Sequence, residues 1–574
     1  MSLDLTAVPP DGWIVRRIGV VGPGIVGMPM AALLAHARIR IGTDQPAHVV
    51  VVQRRSVTSG WKVDAINAGR SPVGGVEPDL ADVVGDAAAG GLLSATHDAL
   101  ALADCDVILV AVQTDKDGIA PAYGPLFEAL EGIAEAIRQR PTGNIPLIVF
   151  ESTLAPSSMA TVVRTFFESK GLLDGRDLLL GNSPNRVMPG RLVERVRSSD
   201  KLVAGLHPRT PLLIERLYRW IVSPGVLYPT NSLTAEIVKT LENAYRDVRI
   251  AFAGELARFC DQQDVDFFDL REQVNQCLNQ ADDASYAPGA IPSGGVLIPT
   301  IGVGGHCLPK DGVLLWWRRL EAGAVPRLSL ILAARQINDG SPSAAIQLAE
   351  RAFGPLAGRR VALLGTAYRA DSEDTRNSPT LTLASLLVQR GSVVRLHDPY
   401  VAPHDQNLER TDLATRFSND LDETLRGAEV VLLCAGHQVY ADSVPAAVAG
   451  SPTFRGMVDG CNFFGGEARK AFPNYTGIGR GRIRPTAQLV EATVAWFRAT
   501  ERGVANELSA LIDFLNERYA TTDFERVDFE NVRRLAGTCV TGCVIANRGS
   551  IAEVASYQGF RPSLAALAMA GAPR

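Results

Sequence analysis

Residues 14–35, IVRRIGVVGPGIVGMPMAALLA, constrain the fold more than any other stretch of the chain. Their order of apolar run, glycines and second apolar run predicts a buried strand, a tight turn and a helix. The glycines follow the GxGxxG spacing, which lets a pyrophosphate approach the backbone at the N-terminus of the helix. A purely structural turn is the alternative. The residues expected to contact a dinucleotide here are Gly22, Gly24, Ile25, Val26 and Gly27.

The end of the next predicted strand bears on the choice of cofactor. Residues 48–53 read HVVVVQ, so Gln53 stands near the position where a carboxylate would bind the ribose hydroxyls. Arg54 and Arg55 follow, and arginine accommodates a 2′-phosphate that a carboxylate would repel. The expected cofactor is NAD with NADP possible, and these residues indicate tolerance of, or preference for, NADP. The alternative is that both arginines are simply solvated at a strand end.

Strand-like runs alternate with helical patterns in two separate regions, and this alternation predicts two doubly wound, Rossmann-like α/β domains. The glycines and prolines of the apolar run at 18–35 fit a strand and turn better than a membrane span. Further strands are predicted at 106–112, 146–153 and 201–206 in the first region, and at 359–365, 393–400, 429–436 and 457–464 in the second.

A single long helix is predicted between these regions, after Asn231. Its apolar side chains recur every three or four positions and form one stripe, while Lys239, Asn243 and Arg246 fall on the opposite side. The stripe consists of Ile237, Leu241, Ala244, Val248, Phe252, Leu256 and Phe259.

The predicted organisation is a dinucleotide-binding domain at 1–215, a central helical domain at 216–345, a second Rossmann-like domain at 346–480 and a helix-rich C-terminal extension at 481–574. The 574 residues carry a net charge of −5, which argues against a nucleic-acid surface or an anionic-membrane binder. Eight scattered cysteines and the lack of a signal peptide predict a cytoplasmic protein without a disulfide framework.

The stretch 302–311, GVGGHCLPKD, frames Cys307 with glycines, His306, Lys310 and Asp311. The glycines allow a sharp turn and close approach to a ligand, and the neighbouring cations favour a thiolate. On residue types alone, a buried structural cysteine in a glycine-rich turn is the alternative.

Five motifs occur in the order expected of nucleotide-sugar dehydrogenases, and the chain resembles the UDP-glucose/GDP-mannose dehydrogenase family from about residue 16 to 475. The branch that oxidises UDP-N-acetylhexosamines, such as UDP-N-acetylmannosamine, is the most similar. The resemblance implies oxidation of the sugar C6 alcohol to a uronic acid, a UDP-sugar substrate and a homodimer formed through the central helix. The motifs are STLAP (152–156), SPNRVMPGRL (183–192), ENAYRDVRIAFAGEL (242–256), GVGGHCLPKD and LGTAYRADSEDTRNSP (364–379).

The resemblance also implies roles for particular residues. Cys307 is expected to capture the C6 aldehyde as a thiohemiacetal, which a second hydride transfer converts to a thioester. Lys239 and Asn243 are expected to hold the oxyanion, Thr153 a water, and Asp311 a proton with help from Lys310. Thr114 is assigned to the cofactor, and the substrate is assigned to Arg186, Arg246, Gly304, His306, Arg369 and Arg376.

The chain departs from the family pattern at several positions. Asn185 stands where the family has a glutamate implicated in acid–base work, and asparagine does not exchange a proton at neutral pH. Arg369 replaces a lysine, and the stretch between Asn275 and Gly302 is longer than expected. Two alternatives follow: a UDP-glucose 6-dehydrogenase, or an impaired protein that only binds nucleotide sugars. No metal site is expected, because Cys539 and Cys543 have no matching His/Cys pair.

Overall fold

The computed structural model describes residues 12–75, 77–141, 145–187, 189–281, 295–465, 472, 474–539 and 543–571, with residues 279–281 described by their backbone alone. Much of the long stretch between Asn275 and Gly302 therefore lies outside the described residues. The strands β1–β16 are Arg17–Val21, His48–Val52, Leu93–Thr96, Val107–Val110, Asp115–Asp117, Ala120–Ala122, Leu147–Phe150, Leu179–Asn182, Lys201–Gly205, Leu227–Asn231, Arg360–Leu364, Val393–His397, Phe417–Ser418, Val430–Leu433, Gly456–Asp459 and Tyr475–Gly477.

The structure has helices α1–α19, and a π-helical segment, Met159–Arg164, precedes α5. They are Gly27–His36, Lys62–Asn67, Leu80–Ala89, Gly124–Arg138, Thr165–Ser169, Leu192–Ser198, Thr210–Tyr218, Ser232–Gln263, Phe267–Ala281, Leu308–Glu321, Leu330–Asp339, Ser341–Phe353, Pro379–Gln389, Gln406–Arg410, Leu421–Leu425, Tyr440–Val448, Ala487–Tyr519, Phe529–Cys539 and Ser563–Ala570.

The chain forms two compact units, each built from three separate segments. The first unit contains the described residues up to Glu242 together with 314–323 and 509–539. The second contains the described residues of Asn243–Val313, Ala324–Leu508 and 543–571. The long helices α8 and α17 each pass from one unit into the other.

The sheet of the first unit has the strand order β10-β9-β8-β7-β4-β1-β2-β3. The predicted doubly wound α/β class is confirmed, since β1 lies between β2 and β4 and all three are parallel. One detail differs from the expected all-parallel sheet: β9 runs antiparallel to β8. The link between them contains the short helix α6.

The sheet of the second unit is entirely parallel, with the order β13-β12-β11-β14-β15-β16. Strand β11 lies between β12 and β14, so the winding direction reverses there. In open α/β sheets, ligands bind outside the carboxyl ends of the strands at such a reversal. The first sheet has its own reversal at β1, and each unit therefore carries one predicted ligand crevice.

The predicted central helix is α8, and it spans the expected residues. The apolar stripe is buried as predicted, but most of the opposite side is buried as well. Lys239 is only 8% exposed and Asn243 is half-buried, so neither lies on a solvated face. Arg246, Gln262 and Gln263 are the exposed residues of this helix.

The C-terminal extension contributes to the core of each unit. In the first, the guanidinium of Arg164 pairs with Glu525 at 2.9 Å, and the glutamate is buried. In the second, Trp496 and Leu508 of α17 are fully buried. Cys539 and Cys543 are buried too. Over the described ranges, no helix is long and apolar enough to cross a membrane.

Candidate active site

The predicted dinucleotide turn joins β1 to α1 in the first unit. Gly22 has φ +91°, a conformation that favours glycine, and its N–H donates to the carbonyl of Val52 at 3.1 Å. A Cβ on Gly27 would collide with the carbonyl oxygen of Gly22, so this glycine is required for close packing. A Cβ on Gly24 would meet no atom within 4 Å. The open space over Gly24 fits a pyrophosphate, as the fingerprint predicts. Ile25 is exposed and Val26 half-buried at the same turn.

Gln53 and Arg54 follow β2 and have different surroundings. Gln53 is buried, and its amide donates to the hydroxyl of Ser59 at 3.0 Å and to the carbonyl of Arg54. Arg54 is exposed and pairs with Glu128 at 2.7 Å. The edge of the predicted ribose site thus presents amide and hydroxyl groups in place of a carboxylate. Arg55 is also exposed.

Lys62, which the sequence analysis missed, lies at the dinucleotide turn. Its ammonium donates to the carbonyl of Pro23, between the first two fingerprint glycines, at 3.3 Å. Burial lowers its pKa. A half-buried cation beside this turn would favour binding of a phosphate. No sequence signal identifies this lysine, because it lies at the start of α2 and looks like any surface lysine.

Thr153 and Thr114 are brought together in the first unit. The hydroxyl of Thr114, which is buried, donates to the carbonyl of Thr153 at 2.7 Å. The loop continues through Ala155, whose N–H donates to the hydroxyl of Tyr123 at 2.9 Å. Thr153 itself is half-buried, in a loop that these hydrogen bonds hold in place.

The far end of this loop is held by a buried carboxyl group on α8. Glu236 accepts hydrogen bonds from the N–H groups of Ser157 and Met159, both at 2.8 Å. Ser157 has φ +76°, a strained conformation for a residue with a side chain. The guanidinium of Arg318 donates to the hydroxyl of Ser157 at 2.8 Å. Burial raises the pKa of Glu236 to about 8.

Asn185 belongs to a buried polar network at the carboxyl ends of β7 and β8. Its side-chain oxygen accepts from the ammonium of Lys201 at 2.9 Å, and its amide nitrogen donates to Glu151. Lys201 also donates to Glu151 at 2.9 Å and to the carbonyl of Ser183 at 2.8 Å, and the hydroxyl of Tyr218 donates to the same glutamate. The antiparallel course of β9 puts Lys201 opposite Asn185, because Asn182 pairs with Ala204 in the ladder.

Lys239 and Arg186 lie near this network in the first unit. Burial lowers the pKa of Lys201, and the charges of Arg186 and Lys239 act in the same direction. Arg186 is held in a bidentate pair with Glu242, and both side chains are largely buried. This pair shows that Arg186, assigned to the substrate from the sequence, already has a protein carboxylate partner.

In the second unit, Cys307 immediately precedes α10, and its carbonyl accepts from the N–H groups of Lys310 and Asp311 at 3.1 and 3.0 Å. The thiol is on an exposed residue. The N-terminal end of a helix carries partial positive charge, which stabilises an anion there. This residue is therefore an accessible thiol and not the buried structural cysteine of the alternative interpretation.

Asp311 is fully buried and is fixed through both of its oxygens. The amide of Asn243 donates to one oxygen at 2.6 Å, and the ammonium of Lys310 donates to the other at 2.9 Å. Three of the sequence-predicted residues thus form one hydrogen-bonded group, in which Lys310 and Asp311 lie in the first turn of α10 and Asn243 is contributed by α8.

The glycine-rich loop before Cys307 packs against Tyr368. A Cβ on Gly304 would collide with the side chain of Tyr368, and one on Gly305 would lie 3.0 Å from its ring. The N–H of Gly305 donates to the carbonyl of Arg376 at 2.8 Å, and the amide of Asn377 donates back to Gly305 at 2.9 Å. The glycines are therefore needed for close packing. Next to them, His306 is half-buried.

A cavity beside this loop lies at the carboxyl ends of β11, β14 and β15, where the second sheet reverses its winding. Its lining includes Gly302, Tyr368, Thr380, Gly436 and Cys461. Of the predicted substrate arginines, Arg369 and Arg246 are exposed. Arg376 instead pairs with Asp374, and this hydrogen bond raises the pKa of the guanidinium.

Comparisons with known proteins identify the family. The NAD binding domain of the UDP-glucose/GDP-mannose dehydrogenase family matches residues 16–222, its central domain 233–340 and its UDP binding domain 362–465. UDP-N-acetyl-D-mannosamine dehydrogenase of Pyrococcus horikoshii is 30% identical over 472 residues, which cover 81% of this chain and all of that protein. The chain belongs to the UDP-glucose/GDP-mannose dehydrogenase family.

Other relatives have related specificities. NDP-N-acetyl-D-galactosaminuronic acid dehydrogenase of Ralstonia solanacearum is 29% identical over 438 residues, covering 74% of this chain and 92% of the relative. The crystal structure of an enzyme of that name from Methanosarcina mazei matches with a TM-score of 0.66 and 30% identity, over 82% of this chain and 96% of the other. The predicted family is confirmed. It is a family of NAD-dependent oxidoreductases that act on nucleotide sugars.

The names of the family domains indicate which ligand each unit binds. The dinucleotide turn lies in the NAD binding domain, and the cavity around Tyr368 involves the UDP binding domain. Residues after 465 lie outside all three family domains, so the extension is an addition to the family core. Across the described residues, no group of three or more His, Cys, Asp or Glu side chains is arranged to hold a metal ion.

Proposed function

We propose that this protein oxidises the C6 alcohol of a UDP-N-acetylhexosamine to the uronic acid, in two steps, through a thioester on Cys307. The observation that carries the proposal is the accessible Cys307 just before α10, closely followed by the buried Lys310 and Asp311, with Asn243 of α8 hydrogen-bonded to Asp311. The names of the relatives support an N-acetylated sugar, since the mannosamine and galactosaminuronic acid enzymes both act on such sugars.

The turn at Gly22 would hold a nicotinamide dinucleotide, which would supply the hydride acceptor for each oxidation. In the first oxidation the C6 hydroxyl loses its proton, for which Asp311 is the proposed acceptor, and becomes an aldehyde. Cys307 then adds to the aldehyde carbon as the thiolate, and Lys239 and Asn243 stabilise the oxyanion that forms. Loss of the second hydride leaves a thioester, and water held by Thr153 cleaves it to the acid and the free thiol.

We propose that NADP is accepted alongside NAD. The support is the absence of a carboxylate at Gln53, whose buried amide points to Ser59, and the position of Arg54 and Arg55 on the adjoining surface. A cytoplasmic location is also proposed, because the eight cysteines are all free thiols, as expected of a reducing compartment.

The test is a panel of UDP- and GDP-sugars, each assayed with NAD and with NADP by the absorbance of the reduced nicotinamide. The expected result is turnover of a UDP-N-acetylhexosamine with two cofactors reduced for each sugar. Cys307→Ala should abolish formation of the acid, whereas Cys277→Ala, a matched change at a half-buried cysteine on α9, should leave it intact. Preference for UDP-glucose would replace the proposed substrate, and binding without turnover would favour the impaired-protein alternative.

A further inference from the structure

The second half of the central helix has no free apolar face within the chain. From Asn243 to Gln263 the exposed residues are Arg246, Gln262 and Gln263, which are all polar. The apolar residues of the predicted stripe in this half are Ala244, Val248, Phe252, Leu256 and Phe259, and each is at most 4% exposed. The family resemblance implies a homodimer formed through the central helix, and the apolar stripe is compatible with such pairing.

Aromatic side chains of the extension lie directly on this helix. The ring of Phe497 meets Phe252 edge-on with centroids 5.3 Å apart. Phe560 stacks on Phe259, with centroids 4.3 Å apart and planes 11° from parallel. Trp496 packs edge-on against the same Phe560 at 5.6 Å and is itself fully buried. Buried aromatic pairs of this kind contribute energy beyond their buried area.

Polar contacts fix the register of the extension on the helix. The hydroxyl of Tyr245 donates to the carbonyl of Val544 at 3.0 Å and also bonds to Glu501. The carboxylate of Glu255 accepts from the N–H of Ser563 at 3.1 Å and from its hydroxyl. Ser563 is the first residue of α19, where a carboxylate satisfies free N–H groups and the positive end of the helix.

We propose that the extension takes the place of a second copy at the central helix, so that one chain closes this face by itself and does not pair through it. Covering the stripe with residues of the same chain removes the apolar area that would drive pairing. The contacts include specific hydrogen bonds and a helix cap in addition to apolar packing, so a second copy would have to break them to reach the stripe. The inference goes beyond the proposed function and does not depend on it.

The decisive experiment asks whether the extension that contacts the helix belongs to the same chain. Glu255→Cys and Ser563→Cys are combined in a Cys307→Ala background, which removes the exposed native thiol, and treated with a short bis-maleimide. Labelling with a monofunctional maleimide checks that both new thiols react, and each single variant is the control. An SDS gel and peptide mapping show whether the link lies within one chain or between two, and light scattering measures the molar mass of the particle.

The expected product is a 255–563 link within one chain, in a particle with the 61.3 kDa mass of a single chain. A link that joins two chains would overturn the proposal, because the extension would then be exchanged between copies. A doubly labelled protein that forms no link would overturn it as well, since the contact would be absent.

A second variant tests the consequence without removing the extension. Phe560→Ser deletes the ring that stacks on Phe259, and we expect increased binding of a hydrophobic dye and self-association that grows with protein concentration. The matched control is Ile483→Ser, because Ile483 is a 54% exposed apolar residue outside these contacts. Unchanged dye binding and mass in Phe560→Ser would contradict a covering role.

Discussion

The role inferred for Asn185 changes when its neighbours in the fold are known. In the sequence, it stands where an acid–base group is expected. In the fold its amide lies between Glu151 and Lys201, so a carboxylate is present after all, contributed by the end of β7. The buried charges of Glu151 and Lys201 compensate each other, and Asn185 supplies one donor and one acceptor to complete the network.

We expect Asn185→Glu to destabilise the protein, because it adds a second buried carboxylate that Lys201 alone cannot compensate. An unpaired buried charge costs about 3–5 kcal/mol, which should appear as a lower denaturation midpoint. The double variant Glu151→Gln, Asn185→Glu restores a single carboxylate and should recover most of the loss. Equal stability of the Asn185→Glu variant and the wild type would contradict this account.

We also expect single residues to influence the choice between NAD and NADP. Arg54 is paired with Glu128 across the surface near the predicted ribose site. If Arg54 binds a 2′-phosphate, Glu128→Gln should free it and lower the KM for NADP several-fold while leaving that for NAD unchanged. Gln53→Asp should act in the opposite direction and raise the NAD preference about tenfold or more. The ratio of kcat/KM for the two cofactors measures both, and an unchanged ratio in both variants would remove these residues from the cofactor site.

At the scale of elements, Glu236 connects helix α8 to the loop that carries Thr153. It accepts two backbone N–H groups from the end of that loop, one of them from the strained Ser157. Arg318 of α10 holds the same serine through its hydroxyl. The loop conformation is thus set by a helix that follows it by more than seventy residues in the chain.

The titration of Glu236 predicts a pH dependence. Burial raises its pKa from 4.5 to about 8, so the folded state holds a proton that the unfolded state releases between these values. The resulting stabilisation is complete below pH 4.5 and is lost as the pH rises through about 8. Between about pH 5 and pH 9, the Tm of the wild type should therefore fall relative to that of Glu236→Gln.

The control for this pH series is Glu168→Gln, which changes an exposed glutamate of the neighbouring helix α5. The Tm of this variant should show the same pH dependence as the Tm of the wild type. Parallel curves for the wild type and Glu236→Gln would show that Glu236 keeps the same charge in both the folded and unfolded states.

At the scale of the whole molecule, each compact unit is assembled from distant parts of the chain. The first unit needs residues 509–539 of the extension in addition to its N-terminal segment. Their contact includes the pair of Arg164 and Glu525, in which the glutamate also accepts from the N–H and hydroxyl of Thr521. The extension is therefore part of the first core as well as a cover for the central helix in the second.

We expect Glu525→Gln to lower the stability of the protein, because it leaves the guanidinium of Arg164 without its buried partner. The expected loss is about 3 kcal/mol, the lower part of the range for a broken buried pair. Asp523→Asn, an exposed change two residues away, should have almost no effect. Denaturant midpoints of the two variants decide the point, and equal midpoints would mean that this pair does not hold the extension.

The sequence by itself determined the local chemistry of this protein. The GxGxxG turn, the alternation of strands and helices, the central helix and the motif around Cys307 all depend on neighbours in the chain, and periodicity or spacing records them directly. The short strands at 93–96, 179–182 and 227–231 were missed, because the first and second contain polar or glycine residues and the third contains a proline.

Only the tertiary structure decided which distant groups meet. The antiparallel turn of β9 brings Lys201 to Asn185 and Glu151, and no periodicity in the sequence signals that direction. The burial of Lys239 and the covering of the α8 stripe by Phe497 and Phe560 depend on segments far along the chain. An amphipathic stripe indicates that some apolar partner covers it, because exposed apolar area is unfavourable. Which segment is that partner is decided only when the whole chain packs.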